Sequence, residues 1–318
     1  EEIKNFKPKT YYGIEAKADA LTLTWQDKDG NSRSFNKEKM DAIVKALGKQ
    51  NAEVASIERK AKKTYSPALY DLTELQRDAN KLFGYSAKET LNIMQKLYEQ
   101  HKVLTYPRTD SRYLSSDIVS TIPERLKAIG GAEYSKLANK IANKPIKATK
   151  AFVDDSKVSD HHAIIPTEGY VNYSAFNDKE RKIYDLVVKR FLAVLYPAHE
   201  FEQLTVHAKI GSESFIARGK TVTKPGWKEV YNNRFEEDES SDDVKEQLLP
   251  RINKGDTLKV SLIAQTSGQT KPPARFNEAT LLSAMENPTK YMETKDKKLA
   301  ATLKSTGGLG TVATRADI

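Results

Sequence analysis

The residues best suited to chemistry lie in Leu104-Thr105-Tyr106-Pro107-Arg108-Thr109-Asp110-Ser111-Arg112-Tyr113-Leu114. Tyr106 ends a short β-type run, is held by Pro107, and is followed two residues later by Arg108. That arrangement suits a positioned nucleophile. A free phenol ionises near about pH 10, so at neutral pH it needs a nearby positive charge or a base. Arg108 is a permanent cation whose planar fork matches phosphate oxygens. The chain has 15 tyrosines, most of them expected to be ordinary packed aromatics; its neighbours single Tyr106 out. A second segment, Ser159-Asp160-His161-His162-Ala163-Ile164-Ile165-Pro166-Thr167, holds two of the five histidines. Adjacent histidines point in different directions, which disfavours a metal pair. A histidine beside a phosphate can donate a hydrogen bond or carry positive charge.

Positioning these groups requires a scaffold, and the sequence predicts a largely helical one from 66 to 197. Asp71 with Glu74 caps one helix and Gly84 ends it; Ser86 with Glu89 forms a capping box for the next. Leu91, Met94, Leu97 and Tyr98 share a face of that second helix. Val103–Thr105 follows as a strand, so helix, turn, helix, strand gives a winged-helix-like unit. Further helices are predicted over 117–129, ending at Gly130-Gly131, and over 178–196, capped by Asn177 and Glu180. On either side the period is two. Residues 11–35 form a predicted hairpin turning at Asp27–Asn31, a tip rather than a metal loop, before a helix over 37–48. Residues 201–210, 213–223 and 257–264 are predicted strands. Asn277 starts a helix, and the Gly307–Thr311 turn is read as leading into a last one. The order β, helical, β, helical is most simply a helical domain inserted into a β-rich one.

Composition narrows the classes. The 318 residues carry 52 Lys+Arg against 43 Asp+Glu, a net charge of +9. With 38% hydrophobic and 30% charged residues, the chain reads as folded and of about two domains. It has no cysteine, which excludes disulfides, thiolate metal sites and a cysteine nucleophile, and fits a reducing compartment. No apolar run is long enough to span a membrane. Basic clusters at Arg59, Lys60, Lys62, Lys63 and at Lys136, Lys140, Lys144, Lys147, Lys150 suit an anionic partner, or a solvated loop or helix face. The acidic run Glu236, Glu237, Asp238, Glu239, Asp242, Asp243 reads as an exposed loop. Glu1 in place of Met and an end inside a helix-like stretch suggest a piece of a longer protein.

Five stretches, in order, resemble the type IA DNA topoisomerases, most closely the topoisomerase III branch. They are 72–87, with Leu72-Thr73-Glu74-Leu75-Gln76-Arg77-Asp78; 90–111, with Thr105-Tyr106-Pro107-Arg108-Thr109-Asp110-Ser111; 161–167, with His161-His162-Ala163-Ile164-Ile165-Pro166-Thr167; 272–281; and 308–315, with Gly308-Leu309-Gly310-Thr311-Val312-Ala313-Thr314-Arg315. The resemblance implies that Tyr106 attacks a phosphodiester of single-stranded DNA and forms a 5′-phosphotyrosine. Arg108 would bind the scissile phosphate, and His161 would be the active-site histidine. Thr109, Arg112, His162, Thr311 and Arg315 are expected to contact DNA. The covalent link conserves bond energy, so resealing needs no ATP; no Gly-Lys-Ser/Thr phosphate loop is present, in agreement.

The resemblance also implies an α+β multidomain fold, a fragment of the toroidal type IA core. Its β-rich arch would comprise residues 1–65 and 198–270, the winged-helix-like tyrosine domain residues 66–197, and part of a helical DNA-binding domain residues 271–318. The family's Toprim domain, with its magnesium site, is not visible in the sequence. Mg2+ is therefore expected to be bound by that domain rather than here, the Toprim domain of the same polypeptide becomes a partner, and this piece alone is expected not to cleave. A cytoplasmic, nucleoid-associated monomer with no membrane contact is implied. A tyrosine recombinase would need a His-x-x-Arg before its tyrosine, and a rolling-circle relaxase two histidines separated by one residue; neither is present. A single-strand DNA-binding module without catalysis is the other reading.

Overall fold

The computed structural model describes residues 1–131, 133–232, 234–235, 243–292 and 297–318. The chain divides into two compact units, each discontinuous in sequence. One comprises 1–64, 199–225 and 236–274; the other 65–198, 226–235 and 275–318.

The first unit is an antiparallel sheet. After a helical turn α1 (Glu2–Asn5), its strands are β1 (Thr10–Ala18), β2 (Leu21–Gln26), β3 (Ala52–Thr64), β4 (His199–Ile210), β5 (Glu213–Lys224), β6 (Thr257–Leu258) and β7 (Val260–Gln269). Their order in the sheet is β6-β3-β4-β5-β2-β1-β7. Ile14, Leu23, Trp25, Val54, Val206 and Phe215 are buried on its core side, joined by Met40 and Leu47 of α2 (Lys37–Leu47). The β1–β2 turn falls at Asp19-Ala20, eight residues before the predicted tip. Asp27–Asn31 does form a turn, but it follows β2 and returns the chain to a bridge between Ser34 and Tyr12. The Asp27 carboxylate accepts from the backbone N–H groups of Asp29 and Asn31 at 2.9 and 2.8 Å, which is why this acid shapes a turn.

The far ends of β3 and β5 are largely solvent-exposed, while the matching end of β4 between them is buried or half-buried. Here the first basic cluster lies on a strand, neither on a loop nor on a helix. Arg59 meets Glu202 at 3.0 Å, Lys63 meets Glu200 at 3.0 Å, and Lys60 meets Glu58 at 2.7 Å. The predicted acidic loop lies outside the described residues except for Asp243, which pairs with Arg33.

The second unit is helical: α3 (Leu72–Phe83), α4 (Ala87–Glu99), α5 (Ile122–Ala128), α6 (Ser135–Ala142), α7 (Asp178–Leu195), α8 (Glu278–Glu286) and α9 (Lys297–Ser305). Local sequence sets its helix ends. Asp71 Oδ1 accepts from Glu74 N at 2.7 Å, and Gly84 closes α3 in the left-handed region at φ 69°. Asn177 and Glu180 form a complete capping box on α7. At α4 only half of the predicted box forms: Ser86 accepts from Glu89 N, while the Glu89 carboxylate pairs with Lys179 of α7. The helix predicted over 117–129 is a 3-10 stretch, Ser116–Thr121, followed by α5, with Pro123 in the first turn of α5 where its missing N–H costs little. The helix predicted after Gly310 is instead a series of turns, and α9 precedes the glycines.

The core of this unit joins Leu72 and Leu75 of α3, Leu91, Met94 and Leu97 of α4, and Ile183, Val187 and Phe191 of α7. Trp227 and Val230, in a 3-10 turn, belong to the same core. A buried polar cluster crosses it. Arg190 donates to Asp78 Oδ2 at 2.7 Å, to the Tyr70 hydroxyl at 3.0 Å and to the Ala68 carbonyl at 3.0 Å. Burial pushes the Tyr70 phenol far above its ordinary value, so it remains a donor, to Asp78 at 2.5 Å.

Asp71 is the costly cap. Burial raises its carboxyl to about 6, against hydrogen bonding to Glu74 N and the field of Arg112, which oppose the rise. The folded chain therefore holds a proton that the unfolded chain has already released above about pH 4. The stability gained from that proton is complete below the unfolded value and is lost as pH rises through about 6. Asp71→Asn keeps a capping oxygen without the buried charge. It should raise the unfolding free energy at pH 8 by up to about 3 kcal/mol and change little at pH 4, measured by denaturant titration at both pH values. Equal effects at the two pH values would contradict the assignment.

Candidate active site

Tyr106 is presented by backbone pairing on its N-terminal side. The run 163–167 lies between two other segments. Ile164 N donates to the Tyr70 carbonyl at 2.9 Å, Thr105 N to the Ile165 carbonyl at 3.0 Å, and Thr167 N to the Val103 carbonyl at 3.0 Å. The predicted strand Val103–Thr105 is thus real but minimal, with a single bridge between Leu104 and Pro166. The Thr105 hydroxyl receives Ile165 N at 2.9 Å, and Ala163 N donates to the Tyr113 carbonyl at 2.9 Å. Both chemistry-bearing segments are thereby locked side by side, although more than 50 residues separate them in sequence.

The result is a stack of rings. The Tyr106 and His161 ring centroids are 4.2 Å apart with planes inclined by 33°. Tyr98, at the end of α4, meets the Tyr106 ring edge-on at 5.5 Å. Both are favourable aromatic geometries. Among the described residues the Tyr106 hydroxyl has no hydrogen-bond partner, so its oxygen is uncommitted. The ring borders a cavity of about 330 Å³, also lined by Ser115, Asp155, Ser159, Asp160, His161 and His162.

The other predicted residues fall in distinct places. Arg108 is half-buried and donates from Nη1 to the Ala313 carbonyl at 3.2 Å. Thr109 is buried; its hydroxyl donates to the His161 carbonyl at 3.1 Å, tying the two motifs together. Arg112 donates from Nε to the Leu69 carbonyl at 3.1 Å and stands 3.9 Å from Glu74. His162 is half-buried, and its Nδ1 is 2.7 Å from the Ala163 carbonyl, which only a protonated Nδ1 can satisfy. Burial, aided by the charge of Arg125, holds the His162 imidazole below its ordinary value. Thr311 is exposed and shares a turn with Thr314, whose hydroxyl accepts Thr311 N at 3.0 Å. Arg315 is only 7% exposed, and its guanidinium faces protein acceptors.

Sequence reasoning placed Tyr98 on an apolar helix face without connecting it to Tyr106. Leu91, Met94 and Leu97 of that face are buried, whereas Tyr98 is 37% exposed. A tyrosine in place of an aliphatic at the end of the stripe was the available signal. The cavity residues Ser115 and Asp155 carried none.

A family model for DNA topoisomerase matches residues 1–318. The chain belongs to the DNA topoisomerase family. It is 78% identical over its whole length to DNA topoisomerase 3 of Bacillus thuringiensis (strain Al Hakam) and 58% identical to DNA topoisomerase 3 of Bacillus subtilis (strain 168), covering 44% of each. It thus spans a little under half the length of these topoisomerases. Its fold matches the structure of full-length topoisomerase I from Thermotoga maritima with a TM-score of 0.67 at 23% identity, over 99% of this chain and 47% of that one. These similarities identify a type IA chain of the topoisomerase III branch. In this topoisomerase chain, no group of three or more His, Asp or Glu side chains is arranged to hold a metal ion among the described residues. No described helix is long and apolar enough to cross a membrane.

The histidine pair yields a direct check. An NMR titration should give His162 a midpoint below the 6.5 of a free imidazole, because the cation loses solvation and faces Arg125. A midpoint above 6.5 would mean that the ring is not buried as described.

Proposed function

We propose that this chain carries the strand-cleaving half of a topoisomerase III active site, with Tyr106 as nucleophile. The observation that carries the proposal is the Tyr106 ring, stacked on His161 at a cavity mouth with its hydroxyl oxygen uncommitted. The phenolic oxygen attacks the phosphorus of a single-stranded phosphodiester. An Oη–P bond forms, the bond from phosphorus to the 3′-oxygen breaks, the phenolic proton leaves, and the 3′-oxygen gains a proton. The products are a 5′-phosphotyrosine and a free 3′-hydroxyl. Reversal reseals the strand with no ATP, because one phosphoester has replaced another.

Arg108 holds the non-bridging oxygens and offsets the charge that builds on them. His161, stacked on the ring, is placed to donate a hydrogen bond to the phosphate or bring positive charge near it. Thr109 acts on His161 through its carbonyl, and His162, Arg112 and Thr311 are the nearby candidates for DNA contact. Magnesium is assigned to a Toprim domain elsewhere in the same polypeptide, and the working enzyme to a cytoplasmic, nucleoid-associated monomer that relaxes and decatenates DNA. The arch, residues 1–65 with 198–270, is assigned to opening the gate between residues 66–197 and the rest.

Tyr106→Phe in the full-length protein should abolish relaxation of negatively supercoiled DNA and leave single-strand affinity within about twofold, since only one hydroxyl is lost. Residual relaxation would place the nucleophile elsewhere. The chain of 318 residues by itself should bind single strands in preference to duplex, with affinity falling steeply with salt, and form no covalent adduct with magnesium present. An adduct, or equal affinity for the two DNA forms, would refute that division of labour.

A further inference from the structure

The chemistry proposed at Tyr106 depends on where Arg108 points, and Arg108 touches the turn-rich segment that follows α9. That segment is built rigidly onto the helical unit. Leu309 N donates to the Met285 carbonyl at 2.7 Å. Gly308 has φ +94°, and a Cβ there would lie 2.1 Å from the Met285 carbonyl oxygen, so only glycine allows this approach. Thr314 N and Arg315 N both donate to the Thr311 carbonyl at 3.0 Å, closing one turn. The Ala313 carbonyl, inside that turn, accepts Arg108 Nη1 at 3.2 Å.

The guanidinium of Arg315 holds this segment from within. Nη2 donates to the Gly307 carbonyl at 2.5 Å and Nε to the Leu309 carbonyl at 3.1 Å. Nη1 reaches Thr73 Oγ1 of α3 at 3.3 Å and Glu286 Oε1 of α8 at 3.2 Å. Glu286 is held in turn by Arg77, at 2.5 Å through its other oxygen. All three guanidinium nitrogens therefore face protein acceptors, in a side chain that is almost wholly buried. Arg108 differs: it is half-buried, and one bond to Ala313 leaves most of its five N–H donors for a phosphate.

We infer that Arg315 is a positioning residue for Arg108: it fixes the 307–315 turn so that the Ala313 carbonyl aims the Arg108 guanidinium, and it does not itself touch DNA. The inference rests on the proposed role of Arg108 at the phosphate. Lysine cannot replace Arg315, because a single ammonium cannot serve acceptors spread around a planar fork.

The test uses the full-length protein and the variants Arg315→Lys, Arg315→Ala and Thr73→Val. If Arg315 positions Arg108, Lys and Ala variants should both lose about 10²-fold in relaxation rate at saturating DNA, as expected for a misplaced catalytic group. Their single-strand affinity and its salt slope should match wild type, and Thr73→Val should show a smaller loss of the same kind. If Arg315 instead contacts a phosphate, Lys should retain activity, and Ala should weaken binding and reduce the salt slope by about 0.7; either result overturns the inference, as does wild-type relaxation in Arg315→Lys. A second readout needs no catalysis. Modification of Arg108 by an arginine-specific dicarbonyl, followed by peptide mass spectrometry, should accelerate in Arg315→Lys and Thr73→Val. Unchanged labelling rejects the link between the two arginines even if the phosphotyrosine reading fails, and Thr73→Val preserves the test should the Arg315 variants not fold.

Discussion

The site depends on one piece of backbone pairing, the run 163–167 held between Tyr70 and Val103–Thr105. Each bond there is ordinary, and a buried peptide group must find a partner somewhere. These partners place the histidine motif against the tyrosine motif. The arrangement is anchored from behind, because Tyr70 belongs to the polar cluster of Arg190 and Asp78 and shares the core of α3, α4 and α7. Packing of three helices is thereby converted into the position of two rings.

The arginines of the helical unit divide by environment, and environment decides what each can do. Arg190, Arg125 and Arg315 are buried and bound to carbonyls, hydroxyls and carboxylates of the chain. A buried cation without such partners would cost several kcal/mol, so these bonds help hold the fold together. Arg108 keeps solvent access and, among the described residues, a single hydrogen bond, to a carbonyl. Counting positive charges in the sequence cannot separate the two kinds.

The sheet shows the same point at its exposed end. Arg59, Lys60 and Lys63 form a basic run in sequence, yet pairing of β3 with β4 sets Glu202 beside Arg59 and Glu200 beside Lys63. Exposed pairs of this sort contribute little to stability. They do reduce the positive field that the sequence suggests. Lys136, Lys144, Lys147 and Lys150 stay exposed, and no acid stands between 134 and 153 to offset them locally.

The sequence alone determined the family, the two kinds of structural period, and most helix ends, because those features are local. A cap is a side chain three residues from the N–H it accepts, and a left-handed glycine ends the helix beside it, as at Asp71, Gly84 and Asn177. It also singled out Tyr106, Arg108 and His161 through motif order. Where local signals competed, reading failed: the first hairpin turns at Asp19 rather than Asp27, Glu89 leaves its cap for Lys179, and the glycines at 307–310 precede turns rather than a helix. Only the tertiary structure decided that Tyr98 meets Tyr106, that Thr109 grips His161, and that Arg315 is buried while Arg108 is not. Those facts join residues separated by 8 to more than 200 positions through backbone pairing and core packing, and no spacing rule within one segment encodes such a meeting.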